Sequence, residues 1–185
     1  MRKVIFFNLT SLDGYFEGPD RDINWHNVDD EFNEFAEEQT GELGALLFGR
    51  VTYELMAEYW PTEDAKRDDP IIAGLMNSLP KIVFSKTLQK VEWENTRLVK
   101  DNFVEAVSKL KQEAGKDIAI FGSSDLAVTL VQHNLIDEFR VMINPIVLGA
   151  GKSLFQGIRS KFDLRLIKTR TFKSGNILLY YEPKR

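Results

Sequence analysis

Short runs of apolar and β-branched residues recur along the chain, and a longer stretch with helical spacing follows most of them. The apolar runs predict strands, because buried parallel strands are nearly continuous in hydrophobic residues. These strands are Val4–Leu9, Ala45–Phe48, Ile82–Phe84, Ile118–Phe121 and Phe139–Ile143. The stretches with helical spacing are Asp29–Gln39, Thr52–Glu58, Phe103–Ala114 and Asp125–His133. Strands that alternate with helices predict an α/β fold with a mainly parallel sheet.

The last part of the chain has a different pattern. Two strand-like stretches, 162–172 and 176–182, flank the turn sequence Lys173-Ser174-Gly175 and predict an antiparallel hairpin, which makes the sheet mixed. The polar segment Pro61–Pro70 is interpreted as a surface loop. No repeat or linker divides the chain, so we expect a single domain over residues 1–185.

The amino-acid composition excludes several classes of site and partner. The absence of cysteine excludes disulfides, thiolate nucleophiles and cysteine-ligated metals, and two separate histidines give no metal-binding pattern. A net charge of −4 argues against nucleic acid as a partner, and the longest apolar run is far too short to cross a membrane. We therefore expect a cytoplasmic protein whose partner is a small-molecule substrate.

Three junctions after predicted strands have the chemistry of an anion site. A helix start presents free N–H groups, glycine lets a phosphate approach the backbone, and Arg, Lys and hydroxyl groups add contacts. Each junction by itself is also compatible with an ordinary turn or a helix cap. The junctions are Gly49-Arg50 with Thr52, Ser85-Lys86-Thr87, and Gly122-Ser123-Ser124.

The order of these blocks resembles a known family. Together with Ser11-Leu12-Asp13-Gly14 near the start and the stretch 144–155 near the end, they cover most of the chain. The chain resembles the dihydrofolate reductase superfamily, and in particular small bacterial proteins similar to the C-terminal reductase domain of the riboflavin-biosynthesis deaminase-reductase. The resemblance implies a dihydrofolate reductase-like three-layer fold and NADPH as the cofactor.

The resemblance also implies roles for the three junctions. Gly49, Arg50 and Thr52 are similar to the first phosphate-contacting helix start, and Ser85, Lys86 and Thr87 to the site of the adenosine 2′-phosphate. Gly122, Ser123 and Ser124 occupy the place of a glycine-rich turn under the pyrophosphate and nicotinamide. Serines replace two glycines here, so the strained peptide of that turn is not carried over.

Two carboxylates are candidates for catalysis. Asp13 matches an acid that lies by the substrate in riboflavin-type reductases, although Asp-Gly after a strand is also a common turn pair. Asp30 follows Trp25 by five residues, as the pterin-binding acid follows a tryptophan in dihydrofolate reductases. The alternative for Asp30 is an acid that complements the helix dipole.

Asp13 and Trp25 are the predicted substrate contacts at the start of the chain. Gly151 and Lys152, in a Gly-Ala-Gly-Lys segment, predict either an anion-binding nest for a phosphorylated arm or a plain loop. His26 is interpreted as a residue that merely lines the cleft.

The sequence thus predicts an NADPH-dependent oxidoreductase that transfers a hydride to a heterocyclic or imine-like substrate of pyrimidine or pteridine type. The resemblance points to 5-amino-6-(5-phosphoribosylamino)uracil reductase as the similar activity. The alternative is a non-catalytic ligand-binding module that keeps the reductase fold. Relatives with this pattern pair through their sheets, so we expect a homodimer.

Overall fold

The computed structural model describes residues 1–122 and 124–184, and its strands build one large sheet and one small one. The strands in these described residues are β1 Val4–Thr10, β2 Tyr15–Glu17, β3 Leu43–Gly49, β4 Lys81–Phe84, β5 Thr96–Val99, β6 Asp117–Phe121, β7 Glu138–Ile143, β8 Lys152–Ser153, β9 Leu164–Thr171 and β10 Ile177–Pro183. Strands β2 and β8 form the small antiparallel sheet.

The large sheet has eight strands in the order β5-β4-β3-β6-β1-β7-β10-β9. Every pair from β5 to β7 is parallel, whereas β10 runs antiparallel to both β7 and β9. The structure therefore confirms the predicted mixed, mostly parallel sheet with an antiparallel hairpin at the end of the chain. Because β1, β3, β4 and β6 are parallel, the segments that follow them meet at one edge, the carboxyl edge of the sheet.

Helices cover both faces of this sheet. They are α1 Asp30–Gly41, α2 Arg50–Tyr59, α3 Glu63–Asp68, α4 Pro70–Ser78, α5 Phe103–Gln112 and α6 Ser124–Gln132. Alternate residues of β1 pack on opposite sides: Val4 and Phe6 join a core cluster with α5 and α6, while Ile5 and Phe7 join clusters that include α1, α2 and α4. This alternation gives the predicted three layers. No helix in the described part of the chain is long and apolar enough to cross a membrane.

The segment Pro61–Pro70 is not the surface loop that its polar sequence suggested. The hydroxyl oxygen of Thr62 accepts a hydrogen bond from the N–H of Ala65 and begins α3, and Ala65 is fully buried. Acidic residues in the first turn and basic residues in the last turn complement the dipole of this short helix. Pro70 then occupies the first position of α4, which proline favours.

Helix α2 also begins earlier than its sequence suggested, at Arg50 instead of near Thr52. Gly49 is its N-cap residue, with an extended backbone. Strand β5 was not predicted, because its half-exposed edge position requires no apolar run.

Candidate active site

Two helix starts meet at the carboxyl edge of the sheet. Helix α2 begins directly after β3, and α6 begins after β6, the strand that neighbours β3. Between them lies a cavity of about 590 Å³, here called the helix-start cavity. The sequence-predicted residues that line it are Gly49, Arg50, Thr52, Ser124 and Lys152.

The helix-start cavity has the electrostatics of an anion site. The first turns of α2 and α6 both face it, and each presents N–H groups that no carbonyl of its own helix accepts. Arg50 and Lys152 add positive charge at its rim, where Arg50 pairs with Glu54 at 2.8 Å and Lys152 pairs with Asp125 at 3.1 Å. Both cations are partly exposed, so these ion pairs are weak.

Ser124 brings a buried hydroxyl to this cavity. The residue is only 2% exposed, and its Oγ has no hydrogen-bond partner. A buried hydroxyl without a partner costs about 1–3 kcal/mol, so this hydroxyl is available for a hydrogen bond to a ligand. The predicted neighbour Ser123 lies outside the described residues.

Gly122, which lies shortly before α6, packs against Thr52 in the first turn of α2. Its φ of +62° lies in the left-handed region, and a Cβ at this position would stand 3.0 Å from Oγ1 of Thr52. The absence of a side chain therefore allows the turn after β6 to approach the first turn of α2.

The third junction, Ser85-Lys86-Thr87, lies at the same edge of the sheet but does not line the helix-start cavity. The hydroxyl oxygen of Ser85 accepts hydrogen bonds from the N–H groups of Thr87 at 3.2 Å and Leu88 at 3.0 Å. Lys86 and Thr87 are exposed, whereas Phe84, just before them, lines the helix-start cavity. A 2′-phosphate contact by these residues stays a prediction.

A second cavity of about 580 Å³, here called the apolar cleft, adjoins the first. The aromatic side chains of Phe7, Phe32 and Phe121 line it, with α1, α2 and α4 around them. Five residues belong to both cavities, so the two are continuous: Phe16, Glu17, Arg21, Val51 and Thr52.

Two buried polar atoms in the apolar cleft lack partners. His26 and Asn8 both line the cleft, and neither Nε2 of His26 nor Nδ2 of Asn8 has a hydrogen-bond partner. Burial is the main cause that lowers the pKa of His26 below its usual value, although a hydrogen bond to the Phe16 carbonyl opposes the shift. Burial therefore favours the neutral form of the imidazole.

Asp13 lines neither cavity and holds a loop. Its carboxylate accepts hydrogen bonds from the backbone N–H groups of Leu148 at 3.1 Å and Gly149 at 2.8 Å. A hydrogen bond from the Ser11 side chain, reinforced by these two, lowers the pKa of Asp13 to about 2. The Asp13 carboxylate thus binds the backbone N–H groups at the beginning of the Gly-Ala-Gly-Lys segment, residues 149–152. A catalytic role for Asp13 stays a prediction.

The other residues predicted on the substrate side are also outside the cleft. Asp30 is exposed in the first turn of α1, after the N-cap Asp29. The indole N–H of Trp25 donates to the Asp22 carbonyl, and its ring contacts His26. Gly151 lies so close to the Glu17 carbonyl that a Cβ would stand 2.2 Å from it, which ties β8 to β2. Substrate contacts by these residues stay predictions.

Comparison with known proteins identifies the family. The family model described as the RibD C-terminal domain matches residues 2–178. The chain belongs to this family. The uncharacterized protein YyaP of Bacillus subtilis is 33% identical over 182 residues, which are 97% of this chain and 94% of YyaP.

Solved structures agree with this family and with the fold. A protein from Shewanella sp. PV-4 that is named for riboflavin biosynthesis has a TM-score of 0.75 and 25% identity, over 99% of each chain. The deaminase/5-amino-6-(5-phosphoribosylamino)uracil reductase of Thermotoga maritima has a TM-score of 0.70 and 16% identity, over 99% of this chain and 57% of that one. Dihydrofolate reductase from Enterococcus faecalis, complexed with NADP(H), has a TM-score of 0.66 and 14% identity, over 99% of this chain and 97% of that one.

The two structures of lower identity show the fold alone, which is dihydrofolate reductase-like. This RibD C-terminal domain therefore has the fold that the sequence pattern predicted. Sequence reasoning gave His26 only a minor place and missed Asn8. A signal for Asn8 was available, because it is the only amide in the apolar run Val4–Leu9.

Proposed function

We propose that the protein is an NADPH-dependent reductase that transfers a hydride to a small heterocyclic or imine-like substrate of pyrimidine or pteridine type. The observation that carries this proposal is the helix-start cavity, which is lined by the first turn of α2 and by Ser124, the first residue of α6, whose hydroxyl has no hydrogen-bond partner. The adjoining apolar cleft is large enough for a planar ring. The family membership agrees with this proposal.

The residues of the helix-start cavity fit the phosphates of a dinucleotide. Backbone N–H groups after Gly49 and the hydroxyl of Ser124 would bind phosphate oxygens, with Arg50 and Lys152 as nearby cations. Gly122 leaves room for a close approach of the backbone. Ser85, Lys86 and Thr87, at the end of the neighbouring strand, are the proposed contacts of a 2′-phosphate and the basis for preferring NADPH over NADH.

When bound, NADPH supplies the hydride, so the protein itself must orient the substrate and deliver a proton. Phe7, Phe32 and Phe121 line the apolar cleft with aromatic side chains, which favour a planar ring. Glu17 is the carboxylate that lines both cavities within the described chain. We therefore propose Glu17 as the residue through which a proton reaches the atom next to the reduced carbon.

The hydrogen bonds of Asp13 favour a second candidate function, in which the protein binds a ligand but does not turn it over. The acid that the family resemblance associates with the substrate is engaged with the loop amides of Leu148 and Gly149. Such a module would bind a dinucleotide or a ring compound but would transfer no hydride.

One experiment separates these two functions. The protein is mixed with NADPH and a panel of pteridine, pyrimidine and quinone acceptors, and the loss of NADPH absorbance is followed. The reductase proposal expects oxidation of NADPH above the rate without protein for at least one acceptor. If NADPH binds saturably but is not oxidised with any of the acceptors, the result would favour the ligand-binding module.

A further inference from the structure

The apolar cleft carries an excess of negative charge. Within the described residues, one cation, Arg21, lines the cleft, and it also lines the helix-start cavity, where the proposed cofactor phosphates bind. The carboxylates that line the cleft are Glu17, Glu54, Glu58 and Asp69. Burial lowers the pKa of His26 and so favours its neutral form, which adds no positive charge. An anionic group on a substrate would therefore be repelled from several sides of this cleft.

Most of these carboxylates keep their charge uncompensated. Glu54 pairs with Arg50 at 2.8 Å. Glu58, on α2, and Asp69, just before α4, form no ion pair with any lysine or arginine in the described part of the chain. The cleft thus differs in charge from the helix-start cavity, although the two are continuous.

The segment that the sequence predicted for a phosphorylated arm has other partners. The backbone N–H groups of Leu148 and Gly149 donate to the carboxylate of Asp13. Nζ of Lys152 pairs with Asp125 at 3.1 Å, and Lys152 lines the helix-start cavity and not the apolar cleft. These amides and this ammonium group therefore offer no phosphate site to a substrate in the cleft.

Exposed aliphatic side chains lie at the opening of the apolar cleft. Val28, Val51 and Leu55 line the cleft, and each is between 39% and 52% exposed. Val51 and Leu55 are four residues apart on α2 and so lie on one face of the helix, whereas Val28 comes from the loop before α1. A ligand that covers these three side chains removes their apolar surface from water, which favours an apolar substituent.

We infer that the apolar cleft takes a substrate ring with an apolar arm and no phosphate, and that this arm lies on Val28, Val51 and Leu55. The uncompensated carboxylates of Glu58 and Asp69 act against an anionic arm. This inference rests on the proposed function, because it names the substituent of the substrate ring that the same site accepts. Phosphate recognition then belongs to the cofactor side alone.

Three pterins that share one ring test the inference by fluorescence titration: 6-propylpterin, 6-hydroxymethylpterin and the phosphate ester of the latter. The protein is saturated with NADP⁺, which keeps the ester out of the helix-start cavity and allows no turnover. The propyl compound should bind about tenfold more tightly than the hydroxymethyl compound, because its methylene groups leave water. The ester should bind about fivefold more weakly than its parent alcohol, because its charge faces the carboxylates.

A variant at the opening tests where the arm lies. Leu55→Ser should lose most of the tenfold preference for 6-propylpterin and keep its affinity for 6-hydroxymethylpterin. Leu166→Ser is the matched control, because Leu166 is 51% exposed, close to the 47% of Leu55, and lines neither cavity. The control should keep the full preference.

A second variant tests the charge of the cleft. Glu58→Gln combined with Asp69→Asn should bind the phosphate ester about threefold more tightly than the wild type does and leave 6-propylpterin binding unchanged. Glu63→Gln combined with Asp64→Asn is the control, since it removes two acids from the neighbouring α3 that line neither cavity. It should leave both affinities unchanged.

Four results would overturn the inference: an ester that binds as tightly as its parent alcohol, an unchanged propyl preference in Leu55→Ser, no gain in ester affinity in the Glu58 and Asp69 variant, or no binding of any pterin. Titration with NADPH alone keeps the two proposals apart. NADPH binding together with any of these results would leave the reductase proposal standing. A propyl preference in a protein that binds no NADPH would remove the reductase proposal and keep the arm specificity of the cleft.

Discussion

Gly122 lies against Thr52, so that a Cβ on Gly122 would stand 3.0 Å from Oγ1 and 3.1 Å from Cγ2 of the threonine. Gly122 lines the apolar cleft, and Thr52 lines both the cleft and the helix-start cavity. Their contact joins the turn after β6 to the first turn of α2. The width of the proposed cofactor site therefore depends on a glycine at this position.

Gly122→Ala should weaken NADPH binding by about tenfold, because Thr52 has to shift to admit the new methyl group. The positive φ adds about 1–2 kcal/mol of strain. Gly14→Ala is the matched control: Gly14 has a φ of +87°, but a Cβ there meets nothing within 4 Å. Thermal unfolding should show a loss of stability in both variants. NADPH titration should show a loss of affinity in Gly122→Ala alone. Equal NADPH affinities for the two variants would contradict the proposed position of the cofactor.

Ser124→Ala should change stability and cofactor affinity in opposite directions. Removing a buried hydroxyl without a partner should stabilise the free protein by about 1 kcal/mol. The same change should weaken NADPH binding by about fivefold or more, since a phosphate oxygen loses a donor. In the control Ser108→Ala, the lost hydrogen bond to the Val104 carbonyl at 2.8 Å should lower stability slightly and leave NADPH binding unchanged. Unchanged NADPH affinity in Ser124→Ala would show that its hydroxyl is not a phosphate contact.

Asp13→Asn should reveal whether this carboxylate anchors a loop or takes part in catalysis. The pKa of Asp13 is about 2 in the folded protein and 3.8 in the unfolded chain. The carboxylate therefore stabilises the fold fully above pH 3.8, and this contribution is lost as the pH falls towards 2. Denaturant unfolding at several pH values should show Asp13→Asn as less stable than the wild type at pH 7 and similar to it near pH 2. Asp163→Asn, which changes another exposed aspartate, should show no such pH-dependent difference. A variant with unchanged stability but no turnover would instead support the predicted catalytic role.

Glu17→Gln should lower kcat by about a hundredfold with an active acceptor, because general acid catalysis contributes on that scale. NADPH affinity should stay within about twofold, since the change preserves shape and removes only the proton-donating group. Glu105→Gln, in an exposed pair with Lys109 on α5, serves as the control for loss of one surface charge. Full turnover in Glu17→Gln would mean that the proton comes from another group or from water.

Sequence reasoning predicted the parts of the fold that rest on local patterns. Apolar strands such as Ile118–Phe121, which Gly122 follows, are predicted directly by buried hydrophobic runs, and their alternation with helices predicts the mainly parallel sheet. Helix α3 was missed because its short, charged sequence resembles a loop. Its helical state depends on the Thr62 cap and on burial of Ala65, and the latter is a tertiary effect.

In the candidate site too, features that depend on local sequence could be predicted, and features that depend on tertiary contacts could not. Gly49, Arg50 and Ser124 could be proposed from the sequence because a helix start is a local property of the backbone, and the structure brings them to one cavity. His26 was interpreted as lining the cleft, and the structure confirms this. Asn8 was not found from sequence, because its burial at the end of β1 depends on elements from distant parts of the chain. Residues from distant parts of the chain leave no spacing pattern that a single sequence reveals.

The central claim, that this carboxyl edge binds NADPH, is tested most directly by an equilibrium titration of the protein with NADPH, followed by tryptophan fluorescence or calorimetry. The account predicts saturable binding with a dissociation constant of about micromolar order, weaker binding of NADH, and a loss of affinity in Ser124→Ala. Absence of saturable NADPH binding up to millimolar concentration would contradict it.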